Sequence, residues 1–225
     1  MAALTLHRYG PAARWYDVLS VERPVYRAGR VLGIDRLGLR AGDRVLDVGC
    51  GTGLNFPVLR EAVGPGGAVV GVDASEPMLE RARARIARTR WSNVAVHRGD
   101  AADLTQLLGN EGPFDAALFT YSLSIIAQWR SAFDQAADQL RPGGRVCVVD
   151  LALPTGRWRL LSPLARMACF TGGVELARRP WQLPLDTMEA TSHTVLRGGH
   201  IHVATATRPT GWVDSKPALT QAPKP

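Results

Sequence analysis

The chain predicts an α/β fold: a mostly parallel sheet of seven strands with helices on both faces and an antiparallel last strand. Three observations carry this expectation. Short apolar runs alternate with longer segments of helical period from Asp43 to Leu151; the first run breaks into Asp47-Val48-Gly49-Cys50-Gly51-Thr52-Gly53; and two final apolar runs are joined by Arg197-Gly198-Gly199. Alternation of strand and helix implies parallel pairing, because each crossover returns the chain to the same end of the sheet. Such a sheet is covered on both sides, so its strands read as continuous apolar runs.

The elements follow in order. Tyr9 to about Leu39 carries Trp15, Tyr16, Leu19, Val25, Leu32 and Leu37 at mixed three- and four-residue spacings, interrupted by Pro24, and reads as a cap of two helices. Strands are expected at Arg44–Val48, Ala68–Val72, Val94–His97, Phe114–Phe119 and Arg145–Leu151. Helices are expected at Asn55–Val63, at Glu76–Thr89 with Pro77 in its first turn, near Leu104–Leu108 and at Gln128–Leu140. After Leu153 prolines separate an apolar, Arg-studded helix around Trp158–Phe170 from two runs, Ala190–Leu196 and His200–Ala206, that read as a hairpin closing the sheet. From Pro209 four prolines in 17 residues and little to bury predict a disordered tail.

At 225 residues the chain suits one well-buried domain. The organisation expected is a cap at 1–40, an α/β domain at 41–208 with an insertion at 153–189, and a tail at 209–225. No run reaches the roughly 18 apolar residues that cross a bilayer, and the first residues do not read as a signal peptide, so a cytoplasmic location is expected. Three cysteines without a C-x-x-C pair argue against a disulfide framework and a structural zinc site. The net charge of +7 is uneven. Residues 1–44 hold 8 Arg against 4 acids and residues 155–225 hold 9 basic residues against 4, whereas 45–154 hold 10 against 12. An Arg-rich composition accounts for part of that excess, since 25 of the 27 basic residues are Arg.

The glycine-rich turn is the centre of the chemistry. Glycine at alternate positions lets the backbone bend sharply and bring peptide N–H groups against a polar ligand, while Asp47 adds a negative charge. A dinucleotide site would have its third glycine at position 54; this chain has Leu54 there and its third glycine at Gly53. A cationic ligand fits that turn better than a pyrophosphate. The second run, Ala68-Val69-Val70-Gly71-Val72, ends in Asp73 at the spacing expected of a carboxylate that holds a ribose diol.

Four ordered motifs carry a resemblance: Val45–Gly53, Gly71-Val72-Asp73-Ala74-Ser75 with Met78, Gly99-Asp100-Ala101, and Leu140-Arg141-Pro142-Gly143-Gly144. Over roughly residues 9–151 the chain resembles the class I S-adenosylmethionine-dependent methyltransferases, with core motifs similar to those of ubiquinone and menaquinone methyltransferases. The resemblance implies a Rossmann-like sheet and S-adenosyl-L-methionine as methyl donor. It also places Asp47, Gly49, Cys50, Gly51 and Gly53 at the amino-acid moiety, Asp73 at the ribose, Ala74 and Met78 against the adenine, and Asp100 at the adenine amino group. Ala101 and Thr120 complete the cofactor set. Asp73 and Asp100 have an alternative reading as helix caps, since each ends a strand before a helix. Cys50 reads as a small residue that fits the turn, or as a reactive thiol.

Methyl transfer needs positioning and exclusion of water more than acid–base chemistry, and no general base stands out. Tyr121, after the fourth strand, is the first candidate for shaping the acceptor site, and Tyr16 for covering the cofactor; both enter as catalytic candidates. The Asn/Asp-Pro-Pro-aromatic signature of enzymes that methylate DNA bases is missing at Phe119–Ser124, which argues against a nucleic-acid substrate. Tyr121 to Arg130 adds a narrower resemblance to bacterial N-methyltransferases of lipid head groups. Independent features agree with it: a basic rim suited to an anionic membrane and an apolar, Arg-rich segment, Arg157–Arg166, suited to its interface; Trp129, Trp158 and Trp181 are candidates to surround a quaternary ammonium, or ordinary packing residues. His200 and His202, with His193 on the partner strand, are compatible with a metal, but metal independence is expected.

Three functions compete on these grounds. They are N-methylation of a lipid head group or small amine, O- or C-methylation of a quinone-like or secondary-metabolite acceptor, and an RNA-binding or non-catalytic cofactor-binding module. The oligomeric state is not legible.

Overall fold

A computed structural model describes residues 26–109, 111–163, 166 and 174–213. The first expected cap helix, including Trp15 and Tyr16, residues 164–165 and 167–170 of the expected 158–170 helix, and residues 214–225 lie outside the described residues. The strands are β1 (Arg44–Val48), β2 (Ala68–Asp73), β3 (Val94–Arg98), β4 (Phe114–Thr120), β5 (Leu140–Leu151), β6 (Glu189–Leu196) and β7 (Ile201–Thr207). The described helices are α1 (Arg27–Arg36), α2 (Phe56–Val63), α3 (Glu76–Thr89), α4 (Leu104–Leu108), α5 (Trp129–Asp138) and α6 (Gln182–Thr187). Short 3-10 turns occupy Ala101–Asp103, Gly156–Leu161 and Arg197–Gly199.

The seven strands form one sheet in the order β3-β2-β1-β4-β5-β7-β6. β1 pairs in parallel with β2 and β4, β2 with β3, and β4 with β5. Only β7 runs against its neighbours, inserted between β5 and β6. The order reverses between β1 and β4, and at that point the carboxyl ends of neighbouring strands splay to leave a crevice.

Alternate residues of the central strands bury themselves on opposite faces. Leu46, Val48, Phe119, Val146 and Val148 join Leu104, Phe133 and Trp181 on one side. Val45, Leu118, Cys147 and Val149 join Ile34, Phe56, Leu59 and Leu79 on the other. Both faces of the sheet are thus apolar, which is why the strands read as unbroken hydrophobic runs.

α1 reaches the second face because of two glycines one turn apart. A Cβ at Gly33 would lie 2.5 Å from Val149 Cγ2, and one at Gly29 would collide with the Tyr121 hydroxyl. With hydrogen in place of a side chain, α1 approaches β5 and β7 closely enough to bury Arg30, which stands between the two glycines on the same helix.

Three expectations change at element ends. α5 stops at Asp138, and Leu140 already pairs with Phe114, because Pro142 and Gly143, at φ 74°, shift the register of β5 against β4. The stretch expected as a helix from Trp158 opens as the 3-10 turn Gly156–Leu161. The expected tail is anchored over its first residues, with Trp212 Nε1 donating to Asp138 Oδ1 at 2.8 Å.

A side-chain clasp fixes the turn between α2 and β2. Asn93 Nδ2 donates to Gly64 O at 2.9 Å and Gly67 O at 3.0 Å. Asn93→Ala leaves both carbonyls to water, and we expect a loss of about 1 kcal/mol, read as a fall of roughly 3 °C in the melting midpoint. An unchanged midpoint would show that the clasp contributes nothing.

Candidate active site

A cavity of about 270 Å³ lies at the carboxyl ends of β1, β2 and β4. Its first wall is the glycine turn. Gly49, Gly51 and Gly53 take φ of 72°, 54° and 75°, a left-handed conformation costly for any residue with a Cβ. A side chain at Gly49 would strike Ser122, whereas a Cβ at Gly51 meets no atom within 4 Å. Gly51 lines the cavity, so the turn offers a ligand its bare backbone there.

Asp73, at the end of β2, organises that turn. Its Oδ2 accepts from Gly51 N and its Oδ1 from Ser75 N, both at 2.8 Å. Each oxygen keeps lone-pair capacity for a further donor, and the residue lines the cavity. Burial raises the Asp73 carboxyl above the ordinary aspartate range, against the pull of the Ser75 and Gly51 N–H groups. A vicinal diol would supply two such donors.

Ala74 and Met78 line the wall beyond Asp73, with Met78 buried in the first turn of α3. Asp100 and Ala101 line the far end. Asp100 Oδ1 accepts from Ala102 N at 2.9 Å, so the side chain is a cap and a cavity residue at once. Cys50 also lines the cavity, but burial first, then the charges of Asp47 and Asp73, push its thiol well above the ordinary range. A protonated, buried thiol is a packing residue, not a nucleophile.

Asp47 corrects the expectation that it faces the ligand directly. It is completely buried and stands outside the cavity wall, with both carboxylate oxygens accepting from Asn55 Nδ2 at 2.8 and 2.9 Å. Burial lifts it to about 7, opposed by the Asn55 hydrogen bond and by Arg30, and aided by Asp73. Gly53 also stands behind the wall, where a Cβ would enter the ring of Phe56.

Arg30 and Asn55 were not singled out from the sequence. Arg30 Nη1 donates to Asn55 Oδ1 at 2.5 Å and approaches Thr120 Oγ1 at 3.5 Å; Asn55 Nδ2 donates to Thr120 Oγ1 at 2.9 Å. Arg30 and Thr120 line the cavity, so a guanidinium borders it on the side where the sequence had offered only Asp47. Two signals were present: the glycines flanking Arg30 one turn apart, and an Asn two residues after Gly53.

Tyr121 lines the cavity next to Ile125, Ile126 and Ala127. It sits at φ 57°, an uncommon conformation for an aromatic residue, held by Tyr121 N donating to Val149 O at 2.7 Å. Its hydroxyl donates to Tyr26 O at 2.8 Å, which commits the phenolic proton to tying β4 to α1. With that proton committed, Tyr121 is a wall residue of the cavity and is not poised as a base. Tyr16 lies outside the described residues.

The tryptophans are elsewhere. Trp129 stacks under Arg130, Trp181 is buried against His202 with ring centroids 3.9 Å apart, and Trp158 is exposed beside Arg157. Among the described residues no Trp lines the cavity. The histidines separate too. His200 precedes β7 and bonds Ala152 O through Nδ1 at 2.7 Å, while His202 Nδ1 meets His193 Nε2 at 2.9 Å. Burial, then the neighbouring His193, holds His202 down at about 4. Among the described residues no three His, Cys, Asp or Glu side chains form a metal-binding group.

Comparison with known proteins agrees with this geometry. Residues 39–179 match the family described as "Methyltransferase domain". Over 133 residues, 58% of this chain and 45% of the relative, the sequence is 38% identical to nocamycin O-methyltransferase of Saccharothrix syringae. It is 35% identical over 120 residues to demethylmenaquinone methyltransferase of Lactococcus lactis, covering 53% of this chain and 46% of that one. The matched stretch thus spans about half the length of these curated relatives. In fold it is similar to phosphoethanolamine N-methyltransferase 2 of Haemonchus contortus, solved with S-adenosyl-L-methionine, at a TM-score of 0.64 and 16% identity over 81% of this chain and 52% of that one. With the motifs, the sheet and the family match in agreement, the chain belongs to the methyltransferase-domain family, the S-adenosylmethionine-dependent methyltransferases.

Proposed function

We propose that this chain methylates an oxygen or carbon of a small, largely apolar acceptor. The observation that carries this reading is the lining of the cavity: Tyr121, Ile125, Ile126 and Ala127 line it after β4, whereas its two carboxylates, Asp73 and Asp100, stand at the end of β2 and just after β3.

S-Adenosylmethionine, when bound, supplies an electrophilic methyl group on a positively charged sulfur. Asp73 holds the ribose hydroxyls, Ala74 and Met78 flank the adenine, and Asp100 with Ala101 meets its polar edge. Arg30 takes the carboxylate of the amino-acid moiety, while the buried charge of Asp47 favours a cation in front of the glycine turn. Ile125 and Ile126 exclude water from the transfer path, which strengthens every charge interaction inside. An amine acceptor that becomes a quaternary ammonium requires an aromatic cage or a carboxylate around it. Beside Ile125 and Ile126 the cavity offers no carboxylate and only the Tyr121 ring, which sets the lipid head-group amine behind the neutral acceptor. The 35–38% identity to an O-methyltransferase and a demethylmenaquinone methyltransferase supports the same order.

The test is labelled-methyl transfer to a panel of quinols, phenols, ethanolamine-type amines and RNA. Label in ring hydroxyls or ring carbons is the expected result. Label confined to the amines would overturn the proposal in favour of head-group methylation, and label in RNA would overturn both.

A further inference from the structure

The 3-10 turn Gly156–Leu161 has no part in the cavity, yet it displays the most exposed large apolar side chain near the sheet's carboxyl end. Leu160 is 87% exposed and Trp158 44%. The turn is held firmly: Thr155 N donates to Gly198 O at 2.8 Å, and Ala152 N to His200 O at 2.9 Å. One face of the Trp158 ring lies on the Gly198 backbone, where a Cβ could not fit, so the remaining surface of the ring is presented outward on a fixed support.

Charge surrounds these apolar groups. Arg157 and Arg159 alternate with Trp158 and Leu160, all four exposed, and Arg166 is exposed nearby. Residues 151–174 contain three Arg and no Asp or Glu. Beside the turn is a groove of about 450 Å³ lined by Leu153, Pro154, Arg159, Ser162, Pro163 and Arg166. Two guanidinium groups and one hydroxyl facing apolar walls suit a phosphate attached to something hydrophobic.

We infer that this face docks on an anionic phospholipid bilayer, with Arg159, Ser162 and Arg166 around a lipid phosphate and Trp158 and Leu160 entering the headgroup–acyl boundary. The interleaving selects the partner. Arginines within one residue of exposed Trp and Leu require negative charge and apolar surface at the same place but different depths, which a bilayer supplies in layers. Nucleic acid offers the charge but has no use for Leu160, and it binds aromatic platforms whose faces are free to stack. Since Leu151, the last residue of β5, pairs with Ile201 at the start of β7, the surface sits at the end of the sheet where the cavity lies. This deepens the proposal of an apolar acceptor, because such a molecule partitions into the bilayer that the protein would contact.

The experiment is sedimentation of the full chain, without cofactor or acceptor, with phosphatidylglycerol–phosphatidylcholine vesicles and with pure phosphatidylcholine vesicles at low and high salt. Binding is expected to the anionic vesicles at low salt and to fall at high salt. Arg159→Glu and Leu160→Ser should each weaken it by roughly fivefold or more, with melting temperature and S-adenosylhomocysteine affinity unchanged, because both side chains are exposed and outside the cavity. Three results would overturn the inference: no sedimentation with anionic vesicles at low salt, variants that bind like the parent, or a single-stranded oligonucleotide that binds more tightly and displaces the vesicles. None of them bears on the acceptor panel, so the two proposals fail separately.

Discussion

Asp73→Ala should weaken S-adenosylhomocysteine binding by roughly two orders of magnitude or more while leaving the empty fold nearly as stable. Each hydrogen bond from a ribose hydroxyl to an ionised carboxylate contributes about 1.5–3 kcal/mol. Two of them, made together, amount to a factor of about 10² or greater in affinity. The loss goes beyond those contacts, because the same carboxylate holds Gly51 N and Ser75 N at 2.8 Å and thereby fixes the turn that faces the amino-acid moiety.

Stability should respond differently. Burial raises the Asp73 carboxyl, so the empty protein already holds this group at a cost, and removing it relieves desolvation while exposing two backbone donors. Those effects oppose each other. The melting temperature without ligand should move little, and the upward shift caused by ligand should disappear. Asp73→Asn, which keeps one acceptor oxygen, should fall between the two in calorimetry. Unchanged affinity in the alanine variant would remove Asp73 from the ribose.

What could be read from the sequence depended on whether a residue's role is local. The β-strands were legible because residues such as Leu46 and Val45, or Phe119 and Leu118, are apolar toward both faces, a pattern that needs no knowledge of neighbours. The place of Asp73 on the cavity wall was legible because the end of β2 and the wall coincide. Asp47 shares its motif character but turns away from the cavity, a fate decided by Asn55, eight residues on, which takes both its oxygens. Arg30 was missed since its burial depends on how closely α1 approaches β5 and β7, and only the Gly29 and Gly33 spacing hinted at that approach. Tyr121 was found, but its role was only half read: the hydroxyl that suggested chemistry is committed to Tyr26 O, 95 residues away in sequence. Trp212 anchors the beginning of a segment whose composition indicated disorder, through one ring nitrogen that finds Asp138.

Cofactor binding should release a proton, and its affinity should rise with pH until the buried carboxylate is ionised in the empty protein. Burial, the largest cause, lifts Asp47 to about 7, while the Asn55 hydrogen bond and Arg30 pull it back. S-Adenosylmethionine carries a net positive charge at neutral pH, so its arrival favours the ionised form of Asp47 and draws the proton off. Below about pH 7 the ligand must displace that proton, and affinity falls by up to roughly tenfold for each unit of acidification. Above it the carboxylate is already charged and the profile levels. The sign for the empty protein is the reverse: a carboxyl raised in the fold binds its proton more tightly there than in the unfolded chain, so its contribution to stability is greatest in acid and fades as pH climbs through about 7. Asp150, lifted to about 6 mainly by burial, adds to the same trend. Stabilisation by ligand should therefore be largest at mildly alkaline pH, where the empty fold is weakest. Calorimetry at pH 6 in buffers of different ionisation enthalpy measures the proton directly, with close to one expected per ligand. A buffer-independent heat together with flat affinity between pH 6 and 8 would mean that Arg30 and Asn55 outweigh burial and that Asp47 is charged before the ligand arrives.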